Sequence, residues 1–173
     1  RGTSNLTTVQ VASGGAHLLN GKITFSVAAS ALTIALVQLN NSNASASNPI
    51  FVLMPQGVPA DGTYTIRTVT GALSLVISFG STLGHTSALP GPVHVYLLDT
   101  SGTLELAAGS PEVMPYGIVT TTTEGGAGGA DSFTVLYSTT GRASVPIVPI
   151  VRWVSTQTAA GSWASTTGEK LLY

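Results

Sequence analysis

Asp99 closes an apolar run in YLLDTSGT, residues 96–103, and a strand that delivers an aspartate into a Thr/Ser-Gly turn is the arrangement aspartic proteases use. That chemistry needs two carboxyl groups close enough to share one proton. Here an extra residue separates Asp99 from Gly102 and the loop occurs only once, so Asp99 reads as a turn residue capping its own backbone. A second stretch, TTTTEGGAGGADSF at 120–133, offers glycine backbone of the kind that cradles phosphates. A phosphate loop also needs a lysine and a hydroxyl after its glycines, with a strand before them and a helix after. An aspartate and the strand pattern FTVLY come next instead, so the stretch reads as a mobile glycine connection that crosses the outside of the fold or reaches a neighbouring subunit.

The other chemical candidates are sparse. His17, His85 and His94 are far apart and lack the spacing of metal ligands; His94, between Val93 and Val95, points away from the main core. No Gly-x-Ser-x-Gly elbow is present. A polysaccharide hydrolase needs two carboxyl groups about 5 to 10 Å apart, and only seven acidic residues are spread along the chain. The expectation is a protein that is not an enzyme, with no catalytic residues, no metal and no cofactor. Trp153 and Trp163, the two tryptophans, flank STQTAAGS near the C-terminal end. Their rings suit either stacking on a sugar face or burial in a sheet or subunit contact, burial being favoured because tryptophan carries so much apolar area. With Tyr116 and Arg142 they form the set of candidate receptor or subunit contacts.

Composition narrows the classes further. The chain has 173 residues, enough for one core, of which 43% are hydrophobic and only 8% charged, against a usual charged share of about 25%. Its polar surface must therefore come from Ser, Thr, Asn, Gln and backbone. A formal net charge of -1 with scattered Lys and Arg gives no field for nucleic acid. Without cysteine, stability rests on packing or assembly. The longest apolar runs, ALTIALVQL and VPIVPIVRWV, fall short of the roughly 20 residues of a membrane-spanning helix, so no membrane insertion is expected. Residue 1 is arginine, which fits either a removed leader or a longer protein.

The elements that must position these side chains are strands. Ile23, Phe25 and Val27 alternate with polar residues, and Leu73, Leu75, Ile77 and Phe79 form a second period-two run with Ser74 and Ser78 between, and similar runs recur between turn signals such as Asn20-Gly21, Asp61-Gly62 and DTSG. VAASALTIAL is the nearest approach to a helix, weakened by its serine and β-branched content. The reading is an all-β, antiparallel β-sandwich of about ten short strands, jelly-roll-like, as a single domain over 1–173 with 1–20 as an extended N-terminal arm or connection. VHVYLLDTSGTLELAAG is the clearest hairpin, with Val93, Val95 and Leu97 on one face and Glu105 toward solvent. Pro146 and Pro149 cannot donate ladder hydrogen bonds, so the last long strand is expected to begin as an edge or inter-subunit strand and to pair fully at 150–154.

The segments NASASNPIFVLM, TYTIRTVTGALSLVISFGSTLG, VHVYLLDTSGTLELAAG, TTTEGGAGGADSFTVLYSTTGRASVP and STQTAAGSWAS, in this order from about residue 28 to 170, resemble bacteriophage virion proteins of the tail-fibre and appendage type. The resemblance implies a structural β-protein on the outside of a virus particle, assembled in the host cytoplasm, commonly trimeric and sometimes receptor-binding. Its partners would be further copies of itself, other virion proteins and a host-surface glycan. The functional expectation is a surface-exposed fibre, appendage or decoration protein that assembles as a homo-oligomer. A glycan- or receptor-binding module of a phage fibre or secreted adhesin is the alternative.

Overall fold

A computed structural model describes residues 17–58, 60–110, 119–126, 129–132, 134–164 and 170–173. Among them every regular element is a strand, and the strands divide over three mostly antiparallel sheets that make a sandwich-like all-β fold. The first sheet orders β1 (Leu18–Leu19), β4 (Ile50–Pro55) and β5 (Tyr64–Val69); the second orders β2 (Gly21–Ala28), β3 (Ala31–Gln38) and β6 (Leu73–Ile77). The large sheet runs β11 (Arg142–Ala143), β9 (Val119–Thr121), β10 (Val135–Ser138), β8 (Thr103–Gly109), β7 (Pro90–Thr100), β12 (Ile147–Ala159) and β13 (Ser162–Trp163), with β14 (Lys170–Leu172) also on β12. Residues 17–20, assigned from sequence to an arm, include β1 paired with β4; residues 1–16 lie outside the described residues.

Period-two burial builds one main core. Ile23 and Phe25 of β2, Leu32, Ile34 and Leu36 of β3, and Ile50, Val52 and Met54 of β4 meet Val93, Val95 and Leu97 of β7 across it. The Phe25 ring stacks on Trp153 of β12, with centroids 4.5 Å apart. On the other face of the large sheet a smaller cluster gathers Tyr96, Leu98, Ala107, Leu136 and Ile147. His94 takes that face too, as its place between Val93 and Val95 requires, and it is buried there.

Two tight hairpins arise from local chemistry. The β7–β8 turn places Ser101 at φ 57° and Gly102 at φ 101°, the paired positive angles of a two-residue turn that matches strand twist. Asp99 Oδ1 accepts from the Gly102 N–H at 2.7 Å, which is the self-capping role read from DTSG. VAASALTIAL, the nearest helix candidate, is instead a hairpin: β2 and β3 turn through Ala29 and Ser30 at φ 48° and 61°. Positive φ is costly for alanine, and tertiary contacts fix it here. The Ser30 carbonyl accepts from Trp163 N at 3.1 Å, and its hydroxyl accepts from Ser162 Oγ at 3.2 Å.

The proline strand begins as an edge, as expected, but pairs with its one neighbour earlier than its prolines suggest. Pairing of β12 with β7 starts at Ile147, ahead of the expected 150, and the register shifts between Pro149 and Val151. An extra residue in one strand flips the parity of every residue beyond it. Val148 therefore faces the main core on one side of the shift, and Val151 and Trp153 face it on the other. The second neighbour, β14, pairs only from Val151 to Trp153, so among the described residues 147–149 have β7 as their one strand partner.

The glycine-rich stretch joins β9 to β10, which lie parallel, Thr120 beside Leu136. Parallel neighbours need a long crossover, and residues 122–134 supply it. Its described parts are tied down: Thr123 O accepts from Ala130 N at 3.0 Å and Asp131 Oδ2 from Gly126 N at 2.9 Å. Glu124 accepts from the N–H of Ser78, just past β6, at 3.1 Å and from its hydroxyl at 3.0 Å. A Cβ at Gly129 would lie 2.5 Å from the Gly125 backbone, so these glycines serve a close approach of chain to chain. β9 itself lies between β10 and β11, strands joined by residues 139–141. Thr120 locks it there, donating to Thr140 O at 2.9 Å and accepting from Arg142 N at 2.8 Å.

Candidate functional site

The sequence-derived contacts fall in different places. Trp153 is fully buried against Phe25, and Trp163 is 2% exposed with its ring centroid 5.6 Å from that of His85. Neither ring presents a face on which a sugar stacks in the single chain; their apolar area has gone into the core, the alternative that tryptophan's size favours. Tyr116 lies outside the described residues. Among the described candidates Arg142 reaches an open site.

That site is a polar cleft of about 660 Å³ beside the tip of the β7–β8 hairpin. Arg142, from β11, grips Glu105 of β8 with two nitrogens, Nε to Oε2 at 3.0 Å and Nη2 to Oε1. On the other side Arg67 of β5 holds Asp99 of β7, Nε to Oδ2 at 2.6 Å. Asp99 is buried, and its two oxygens are both engaged, one by Arg67 and one by the Gly102 N–H. Two cations and two anions cancel within the cleft, and Gln56, Thr100, Ser101, Thr103 and Ser144 supply amide and hydroxyl groups around them. A smaller cleft of about 240 Å³, lined by Thr68, Gly71 and Gly102, adjoins it at Thr103, which lines both.

Arg67 reaches this position because β5 is turned against its own pattern. In TYTIRTV the apolar residues Tyr64 and Ile66 share one parity and Thr65, Arg67 and Val69 the other. Alternation alone buries the apolar set. In the structure Ile66 is 61% and Tyr64 48% exposed, while Arg67 turns inward to Asp99. The neighbouring strand agrees: β4 is apolar on both faces, with Ile50, Val52 and Met54 in the core and Phe51 and Leu53 outside. Leu53 stands opposite Ile66, and Leu19 of β1 opposite Phe51, so the outer face of this three-stranded sheet is mainly apolar, with Thr68 opposite Phe51 and His17 beside Leu53 as its polar members and no Lys, Arg, Asp or Glu among the described residues.

A third feature is His85, buried beside Trp163, with its Nε2 3.1 Å from Pro92 O. Burial holds its imidazole below the usual histidine range, only partly offset by the Pro92 carbonyl. His85 stands apart from the other two histidines: among the described residues no three His, Asp or Glu side chains gather into a possible metal set. Among those residues, too, no helix is long and apolar enough to cross a membrane.

Comparison of the chain with protein-family models, curated protein sequences and solved structures gave no match. The cleft was missed by sequence reasoning because both of its ion pairs are distant in the chain, Arg67 from Asp99 by 32 positions and Arg142 from Glu105 by 37. One signal pointed to it: an arginine inside an alternating strand of a chain with only six basic residues.

Proposed function

We propose that this protein is a non-catalytic structural component on the exterior of a bacteriophage particle, a fibre, appendage or decoration protein that assembles with further copies of itself, most simply as a trimer. The observation that carries the reading is the inverted β5 strand, which sends Tyr64 and Ile66 outward beside Phe51 and Leu53. A strand apolar on both faces is the mark of a strand covered on both. A mainly apolar exposed face on a chain so poor in charge calls for a protein partner. A second copy suits this face because contact between uncharged surfaces buries no unpaired ion, and closed symmetric assembly is the common solution for such surfaces. The strand and turn text that resembles tail-fibre and appendage proteins supports placement on a virus particle.

The experiment is the solution mass by light scattering and sedimentation, for the natural chain and for a Leu53→Lys, Ile66→Lys variant. The natural chain is expected as a concentration-stable oligomer, and the variant as a monomer with unchanged circular dichroism. A natural chain that is monomeric at 100 µM, or a variant that stays oligomeric, refutes the reading.

A further inference from the structure

The cleft at the hairpin tip has a ligand chemistry that assembly does not use. We infer that it binds a neutral, linear oligosaccharide. Each of its four ionised side chains already has a partner of opposite sign, Arg67 with Asp99 and Arg142 with Glu105. An anionic ligand on the terminal nitrogens of Arg67 would meet a cleft whose positive charge is already balanced by Asp99 and Glu105, and to gain more it would have to displace Asp99, which is buried and holds the turn through Gly102, or break the two-nitrogen grip on Glu105. A cationic ligand would have to displace an arginine. A phosphate, a sulfated chain and a basic peptide are all disfavoured on this ground, since the four charges balance and parting Arg67 from the buried Asp99 leaves that carboxylate uncompensated.

The groups that remain to meet a ligand are neutral or already compensated. Arg67 reaches Asp99 through Nε, which leaves the two terminal nitrogens of its fork without a partner among the described residues; Nη1 lies 3.8 Å from where a side chain on Gly102 would start. Around it stand the hydroxyls of Ser101, Thr103 and Ser144 and the Gln56 amide, which both donate and accept. Vicinal sugar hydroxyls do the same, and a planar guanidinium fork spans two of them. Val145 and Pro146 provide an apolar wall for the C–H face of a ring. The adjoining cleft past Thr103 extends the groove along the hairpin, which favours a chain of sugars over a single one. Since no aromatic ring among the described residues lines either cleft, single-site binding is weak and repetition of the site in an assembly raises it.

The test is saturation-transfer NMR on the intact protein with cellohexaose, maltohexaose and chitohexaose as neutral probes, and sialyllactose and a heparin hexasaccharide as anionic ones. At least one neutral probe is expected to bind, with little change between 50 and 500 mM salt. Thr103→Trp, which fills the junction of the two clefts, is expected to weaken that binding at least tenfold. Arg67→Lys, which keeps the charge beside Asp99 but removes the fork, tests the same point should the first variant not fold. Silence from all three neutral probes overturns the inference, as does tighter binding of the anionic probes or neutral binding unchanged in both variants. The outcome is independent of the assembly reading: a monomer that binds the neutral probe refutes assembly alone, and an oligomer that binds none refutes the cleft alone.

Discussion

Gly161→Ala should be far more damaging than Gly62→Ala, although both replace a glycine in the left-handed region, at φ 71° and 88°. At Gly62 no atom lies within 4 Å of the position a Cβ would take, so the cost is that of the backbone angle alone, about 1 to 2 kcal/mol. At Gly161 the added carbon would sit 2.3 to 2.6 Å from the backbone carbon, Cα and oxygen of Gly80, which no rotamer change relieves. The two segments are bound there by the Gly80 N–H, which donates to Gly161 O at 2.9 Å, and by the buried Gln157, whose Oε1 accepts from Gly161 N at 2.8 Å. Forcing them apart adds about 1 to 3 kcal/mol of overpacking, for a total of about 2 to 5 kcal/mol. That is a large part of the roughly 5 to 15 kcal/mol that holds a domain folded. Urea unfolding monitored by tryptophan emission, at one protein concentration so that mass action cancels, should show the difference as a shift in midpoint at similar slope. Equal losses for the two variants, within about 0.5 kcal/mol, would refute the reasoning, because the close approach of Gly161 to Gly80 would then carry no energy.

Two predictions concern pH. His85 is held below its ordinary value of 6.5 by burial, so the unfolded chain binds the extra proton first; its contribution to stability is complete above about 6.5 and is lost as pH falls through the depressed folded value. The urea midpoint should be lower at pH 5.0 than at pH 7.5, and His85→Gln should reduce the difference; an unchanged pH dependence in that variant would show that another group is responsible. Tyr137 is pushed up to about 12 by burial first and by the Glu124 carboxylate second. One of the five tyrosines should therefore titrate near 12 in the ultraviolet, with stability falling as pH rises from 10 through that value. Glu124→Gln should bring the tyrosine part of the way down, since burial persists, and no movement at all would place the carboxylate's influence elsewhere.

What could be read from the chain was whatever neighbours in sequence decide. Alternation placed Ile23, Phe25, Leu75 and Ile77 in the core, although Phe79 of the same run lies past the end of β6 and is exposed, and DTSG implied the capped turn that Asp99 makes. The features that shape the candidate site depend on partners dozens of positions away. The parity of β5 is set by its register on β4 and by Asp99, which accepts Arg67, so local hydrophobicity points the wrong way. The facing of β12 likewise depends on the register shift against β7 between Pro149 and Val151, a strand distant in sequence. Trp153 and Trp163 illustrate a third limit: ring size argues for burial, but only the stacked Phe25 and the adjacent His85 say which surface they fill.

The placement of β9 between β10 and β11 bears on how long the protein lasts once made. Residues 139–141 would ordinarily close β10 and β11 into a local hairpin, yet here they bridge a gap that a third strand occupies. The quick route through nearest neighbours is barred, and the strand must be seated by contacts remote in sequence, which makes folding slow. The same geometry acts in reverse. β9 leaves only when its ladders to β10 and β11 and the two Thr120 hydrogen bonds give way together. Contacts formed late in folding retard escape from the native state, so the expected signature is a half-life at elevated temperature longer than the equilibrium stability alone would suggest.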